Sequence, residues 1–248
     1  MTADPLAPLT ALPGVGAALD EARSAVDGLL GHRLLRRRSA ELSAEAGLRC
    51  ARASAALEGV VLPLEEVRVG SDDPTVQGSL RVSTGLGELV HVIDQSPLQA
   101  LARLHVFAAR GLATDAELGR PRSDPRVGAR LAALTDLLVG PRPASALVLA
   151  AIVHAELLTL GVFEHGNGLV ARAAARLVMV ARGLDPKAVT CPDVGHLERE
   201  DGYRDAAAAY AAGDVRPWLL HCAEAVRLGA VESVAVCEAI VRTAEAQA

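Results

Sequence analysis

Two glycines and an asparagine form the part of this chain best suited to hold an anion. Gly166, Asn167 and Gly168 lie in a turn between two apolar stretches with helical spacing. Glycine lets the backbone bend tightly and approach a ligand, and the unpaired N–H groups of a helix that begins there favour phosphate. Arg172 follows Gly168 by one helical turn and can add its charge. The alternative interpretation is an ordinary loop in which Asn167 caps the next helix.

The same segment resembles the active-site motif of the Fic (Fido) family, HPFx(D/E)GNGRxxR. The matching positions are Phe163, Gly166, Asn167, Gly168 and Arg172. The resemblance implies an all-α, Fic-like helical bundle that binds ATP or another nucleotide and transfers AMP to a hydroxyl of a target protein. His154 stands where the family often has a histidine on the preceding core helix. With Leu104-His105, Tyr203 and Pro217-Trp218, the resemblance covers roughly residues 38–225.

Three positions at which the motif has chemically active residues depart from it. Gly161 replaces the histidine that serves as general base, a group worth about 10² to 10⁴ in rate. His165 replaces the carboxylate that holds Mg²⁺, a cation that prefers oxygen ligands, so bound Mg²⁺ is doubtful. Leu169 replaces the first arginine. These changes predict that ordinary AMP transfer is lost and that no catalytic residue remains, unless His165 acts as a substitute base.

A second motif precedes the first by about a hundred residues. Ser54, Glu58 and Gly59 fit the family's inhibitory pattern, (S/T)xxxE(G/N). The resemblance implies a regulatory role in which Glu58 pairs with Arg172 and blocks productive phosphate binding. Two interpretations stay open: the pair is a structural tie between an N-terminal helix and the core, or it still gates a nucleotide site.

Composition excludes several classes of protein. The net charge of −5 argues against a nucleic-acid binder. The four cysteines show no ligand spacing, and no histidine pair suits a helix-borne metal site, so we expect reduced thiols, no metal and a cytoplasmic protein. The apolar stretch 144–163 is long enough to span a bilayer, but His154 and Glu156 favour a buried core helix. The arginine run 36–38 is interpreted as a solvated helix face, with an acidic or phosphate partner as the alternative.

Helix signals organise the remainder of the chain. Apolar spacing, caps and glycine stops predict helices near 16–30, 33–57, 63–67, 97–110, 125–139, 143–160, 167–182, 201–212, 216–228 and 231–246. Residues 112–123 leave room for at most a short flap, where the family has a target-docking hairpin. We expect an N-terminal helical segment (1–88), a Fic-like core (89–225) and a C-terminal helix (226–248).

Three functions follow as hypotheses. The first is a degenerate protein that binds a nucleotide, another phosphate ligand or a protein partner without catalysis. The second is a transferase of a nucleotide or phosphate group with altered chemistry, using His165. The third is a non-catalytic helical scaffold that forms homo-oligomers through its alanine- and leucine-rich helices.

Overall fold

Helices dominate the computed structural model of the chain, which describes residues 4–140 and 145–246. Over those ranges there is no β-strand, and an isolated bridge joins Arg110 to Ala113. The prediction of an all-α fold is confirmed. The α-helices are α1 (Ala7–Thr10), α2 (Val15–Leu30), α3 (Ser39–Leu57), α4 (Leu64–Val69), α5 (Pro74–Gly85), α6 (Val90–Gln95), α7 (Pro97–Ala109), α8 (Pro125–Val139), α9 (Ala146–Leu160), α10 (Asn167–Ala181), α11 (Pro192–Glu198), α12 (Glu200–Ala211) and α13 (Val215–Ala246). Short 3₁₀-helices occupy Arg33–Arg36 and Leu86–Leu89.

Helices α9 and α10 form the centre of the bundle. Every residue from Leu147 to Ala155 is buried, so α9 is the core helix that its composition predicts. Trp218 on α13 is fully buried, and its indole N–H donates to the Ala151 carbonyl at 2.7 Å. Within the described ranges, no helix has the length and apolarity needed to cross a membrane.

Helix α3 brings the N-terminal region onto this core. Its buried face includes Cys50, Ala51 and Ser54, and it packs on α5, α10 and α11. The helix ends at Leu57, so Glu58 follows immediately, at the edge of the core. All four cysteines are buried free thiols.

The C-terminal region differs from the prediction of two helices separated near Gly229. Helix α13 runs unbroken through that glycine. A Cβ atom at Gly229 would lie 2.3 Å from the carbonyl oxygen of Cys191, and the Gly229 carbonyl accepts a hydrogen bond from the Cys191 N–H. The glycine therefore serves close packing against α11 and does not end a helix.

The prediction for residues 33–95 was wrong in one place and incomplete in another. The helix expected from Arg33 to Leu57 is divided, because the His32 ring caps a separate 3₁₀-turn by accepting from the Leu34 N–H. Helices α5 and α6 were not predicted at all. Glycine, serine, threonine and valine are abundant in α5 and have modest helix propensity, so this helix depends on its packing against α3 and α7.

The remaining boundaries agree closely with the predicted ones. The expected start of the central helix, Pro143, lies outside the described residues, and α9 begins after Ser145, whose hydroxyl accepts from the Val148 N–H. The short helix α11 was not predicted. The division of the chain at residues 88 and 225 stays a prediction.

Candidate functional site

The glycine-rich turn joins α9 to α10 and is held by its asparagine. Gly161 and Gly166 adopt left-handed backbone conformations, with φ of 58° and 69°. Asn167 accepts from the Phe163 N–H at 2.8 Å and donates to the Phe163 carbonyl at 2.7 Å. The interpretation of Asn167 as the N-cap is wrong, because Gly166 occupies that position and Asn167 is the first helical residue. Its side chain instead fixes the shape of the turn across four residues.

A buried histidine packs against the glycine-rich turn. The ring of His105 on α7 stacks on Phe163, with 3.9 Å between centroids and 4° between planes. Its Nδ1 accepts from the Gly119 N–H at 2.9 Å, and its Nε2 lies 3.1 Å from the His165 carbonyl. Nε2 therefore carries the hydrogen in the neutral ring. Burial lowers the pKa of His105, which favours this neutral form.

An arginine lies against Gly161, the position at which the family motif has a histidine. Arg122 donates through Nε to the Gly161 carbonyl at 2.6 Å and through Nη2 to the Leu160 carbonyl at 3.1 Å. The Arg122 N–H also donates to the Val162 carbonyl. The segment between α7 and α8 thus lies against the turn as an irregular strap, which agrees with the prediction of at most a short flap. Gly161 offers no side chain there.

The two other departures from the motif have different surroundings. His165 is exposed, and its carbonyl is the group bonded to His105. Leu169 is fully buried, and its side chain belongs to the apolar core. Neither position supplies a fixed positive charge beside Gly168.

The predicted contact between the two motifs is present. Arg172 is buried, and its Nη2 donates to Glu58 Oε1 at 2.7 Å. The same guanidinium donates to the Ser54 hydroxyl at 2.7 Å and to the Ser54 carbonyl at 3.0 Å. Asp193 lies 3.8 Å away. Burial alone would lower the pKa of Arg172, but Tyr203, Glu58 and Asp193 together raise it, so the guanidinium stays charged.

The Glu58 carboxylate lies directly over the start of α10. A Cβ atom built on Gly168 would stand 2.0 Å from Glu58 Oε1 and 3.0 Å from Arg172 Nη1. Only glycine therefore leaves room for the carboxylate in this position. An internal carboxylate thus lies where the sequence predicts an anion, next to the positive end of the helix dipole. Gly59, in a left-handed conformation with φ of 92°, turns the chain away afterwards.

A cluster of rings extends inward from Arg172. Its Nη1 donates to the Tyr203 hydroxyl at 3.4 Å, and that hydroxyl lies 2.9 Å from His154 Nε2. The side chain of His154 therefore has the Tyr203 hydroxyl as a hydrogen-bond partner. Burial lowers the pKa of His154 well below its usual range, and the charge of Arg172 acts in the same direction. Burial likewise raises the pKa of Tyr203 to about 12.

Several residues of this site were missed or misjudged from the sequence. The contact of Asp193 with Arg172 and the contact of Arg122 with the glycine-rich turn were not predicted. No spacing in the sequence links Asp193 or Arg122 to the motif. His196 and His221, for which the sequence gives no helix-borne ligand spacing, are joined by a 3.0 Å hydrogen bond, and His196 lies close to His154. In the part of the chain that the structure describes, no group of three or more His, Cys, Asp or Glu side chains could hold a metal ion.

Comparison with solved structures identifies the fold. A Fic family protein from Desulfovibrio desulfuricans G20 superposes with a TM-score of 0.76 at 25% identity, over 90% of this chain and 75% of its own. Residues 134–508 of Fic-1 from C. elegans superpose with a TM-score of 0.72 at 21% identity, over 94% of this chain and 75% of the C. elegans chain. A Glu-to-Gly variant of that protein superposes with a TM-score of 0.69 at 21% identity, over 93% of this chain and 74% of its own. No protein-family model and no curated protein matches the sequence. The chain has the all-α Fic fold over most of its length.

Proposed function

We propose that this Fic-like protein binds a nucleotide or another phosphorylated ligand at the start of α10 without transferring it, and that Glu58 controls access. The observation that carries the proposal is the Glu58 carboxylate lying over Gly168 while it pairs with buried Arg172. A carboxylate and a phosphate compete for the same kind of donor. Glu58 retains 32% of its side-chain exposure, so it can leave while Arg172 remains held by Ser54.

The proposal of a non-catalytic site is supported by the surroundings of Gly161. A transfer to a hydroxyl needs a base within hydrogen-bond reach of the attacking oxygen. Glycine supplies none, and the Arg122 guanidinium beside it is a permanent cation that cannot accept a proton. Leu169, buried in the core, also provides no charge to stabilise a transferred group.

The site fits a phosphate better than it fits a phosphate with Mg²⁺. Gly168 leaves space for an anion over the helix once the Glu58 carboxylate moves away. A bound nucleotide would supply phosphate oxygens for the first N–H groups of α10 and for Arg172. His165 offers an imidazole where a carboxylate would suit a hard cation, so we derive no role for Mg²⁺.

Calorimetric titration with ATP tests the proposal on the unchanged protein, Glu58→Ala and Glu164→Ala. Glu164 is exposed in the same turn, so its removal changes the local charge by the same amount without touching Arg172. We expect Glu58→Ala to bind about tenfold or more tightly, since a competing charged hydrogen-bond acceptor is removed. Glu164→Ala should differ little from the unchanged protein.

Two results would contradict the proposal. If none of the three proteins binds ATP, GTP or pyrophosphate, the start of α10 is not a phosphate site. If both variants gain affinity equally, Glu58 acts only through net charge and does not gate the site.

The alternative of an active transferase rests on the exposed His165 in the same turn. Incubation of Glu58→Ala with labelled ATP and a cell extract tests it. Transfer of label that disappears in the additional His165→Ala variant would favour this alternative over a non-catalytic site.

A further inference from the structure

A groove lined by arginines lies at the opposite end of α3 from Glu58. Arg33, Arg36, Arg37 and Arg38 line it together with Leu34, Val241 and Glu245, and its volume is about 550 Å³. We call this feature the arginine groove. The turn that carries these arginines is anchored, because the Leu35 side chain is buried and the Lys187 ammonium donates to the Leu35 carbonyl. The sequence predicts a solvated α-helical face here, whereas the structure has a 3₁₀-turn followed by a short irregular link.

The turn geometry gathers these charges on one side. A 3₁₀-helix has three residues per turn, so side chains three positions apart are eclipsed. Arg33 and Arg36 have that spacing, and Arg37 and Arg38 follow before α3 begins. The whole chain has a net charge of −5, so this concentration of positive charge is a local feature.

Two of the four arginines in the groove have no ion-pair partner among the described residues. Arg38 pairs with Glu41, and Arg33 lies 3.7 Å from Glu245 with both side chains about 70% exposed. An exposed pair of that kind contributes little and gives way to a stronger anion. Arg36 and Arg37 are exposed, and over residues 4–140 and 145–246 they have no ion pair or side-chain hydrogen bond.

We propose that the arginine groove binds a phosphate group attached to an apolar body. Guanidinium groups form paired hydrogen bonds with phosphate oxygens, and two of them are free to do so. Leu34 and Val241 provide an apolar wall beside the charges, and the volume lies in the range of small-molecule sites. A soluble organic phosphate and the phosphate headgroup of a lipid share this chemistry.

The groove is separate from the site over α10. Helix α3 has 19 residues and therefore spans about 28 Å between Arg38 and Glu58. A ligand in the arginine groove cannot touch Arg172. The proposal is thus independent of the function assigned above, and each can fail alone.

Titration with octyl phosphate tests the proposal on the unchanged full chain, the double variant Arg36→Gln/Arg37→Gln, and Arg23→Gln. Arg23 is a matched control because it is also an exposed arginine, on α2 and away from the groove. We expect binding by the unchanged protein and by Arg23→Gln, and a loss of about tenfold or more in the double variant. Glu245→Gln should bind more tightly, since it removes the competing carboxylate.

Sedimentation with vesicles distinguishes the two sources of the phosphate. Binding to phosphatidylcholine vesicles that contain phosphatidic acid, lost in the double variant, would identify a lipid headgroup. Octyl phosphate binding without vesicle binding would identify a soluble ligand. The proposal is overturned if octyl phosphate does not bind, or if the double variant binds it as well as Arg23→Gln does. Circular dichroism spectra and melting curves of the variants verify folding.

Discussion

The clearance at Gly168 gives a prediction whose size can be worked out from the contact distances. Alanine at this position places a Cβ atom 2.0 Å from Glu58 Oε1 and 3.0 Å from Arg172 Nη1. The carboxylate must move, because real carbon–oxygen contacts are never so short. Gly168→Ala therefore breaks the ion pair between the two motifs without removing either charged residue.

Two opposing effects set the magnitude. Alanine stabilises a helix by up to about 1 kcal/mol relative to glycine. Against this, a lost hydrogen bond between charged groups costs about 1.5–3 kcal/mol. We therefore expect Gly168→Ala to lower the free energy of unfolding by about 0.5–2 kcal/mol. In the Glu58→Ala background the main clash is absent, and the same change should be nearly neutral or stabilising.

Urea denaturation of the four proteins of this double-mutant cycle, followed by circular dichroism, measures the difference. The expected coupling between positions 58 and 168 is at least about 1 kcal/mol, well above the additivity error of about 0.5 kcal/mol. Additive effects would refute the reasoning, since they would mean that Glu58 does not lie over Gly168 in solution.

The remaining predictions concern stability. Burial lowers the pKa of His221 to about 4, whereas the unfolded value is about 6.5. The unfolded chain therefore binds more protons, and stability should fall as pH drops from about 6.5 to 4; His221→Gln should flatten this slope in denaturant titrations at several pH values. Arg122→Ala should cost about 1–3 kcal/mol, because the carbonyls at the end of α9 lose their donor, and hydrogen exchange should accelerate in the turn. The control for Arg122→Ala is Arg126→Ala, which removes an exposed arginine side chain. Gly229→Ala should cost about 1–3 kcal/mol through overpacking, whereas Gly87→Ala, which has open space, should be tolerated in thermal melts.

The contact between distant motifs could be predicted from the sequence. The placement of Glu58 near Arg172 followed from the family resemblance, and the structure bears out the contact at 2.7 Å. Strong periodic segments with capping residues, such as Asp124 before α8, also gave correct helices, because cap and period act within a few residues. Whether the contact regulates binding stays a prediction.

Features that depend on tertiary packing could not be predicted. The residues of helix α5 have a weak intrinsic preference for the helical conformation. Position 78 in this helix requires glycine, because a Cβ atom there would lie 2.1 Å from the Ala108 carbonyl oxygen. Gly229 has the sequence signature of a helix stop but is required by a neighbouring backbone. The partner of Asn167 was mistaken for a similar reason, since its side chain selects among several nearby groups that only the folded chain brings together.

The unequal burial of Glu58 and Arg172 determines how fast the proposed site would open. Moving α3 as a whole would leave the charge of Arg172 buried without its Ser54 partners, and such an uncompensated charge costs about 3–5 kcal/mol. Rotating only the partly exposed Glu58 side chain leaves those bonds in place. Exposed side chains change rotamer in picoseconds to nanoseconds, whereas collective motions of helices take microseconds or longer. A ligand would then meet a gate that opens many times during each encounter, so diffusion and not a conformational step would limit its association rate.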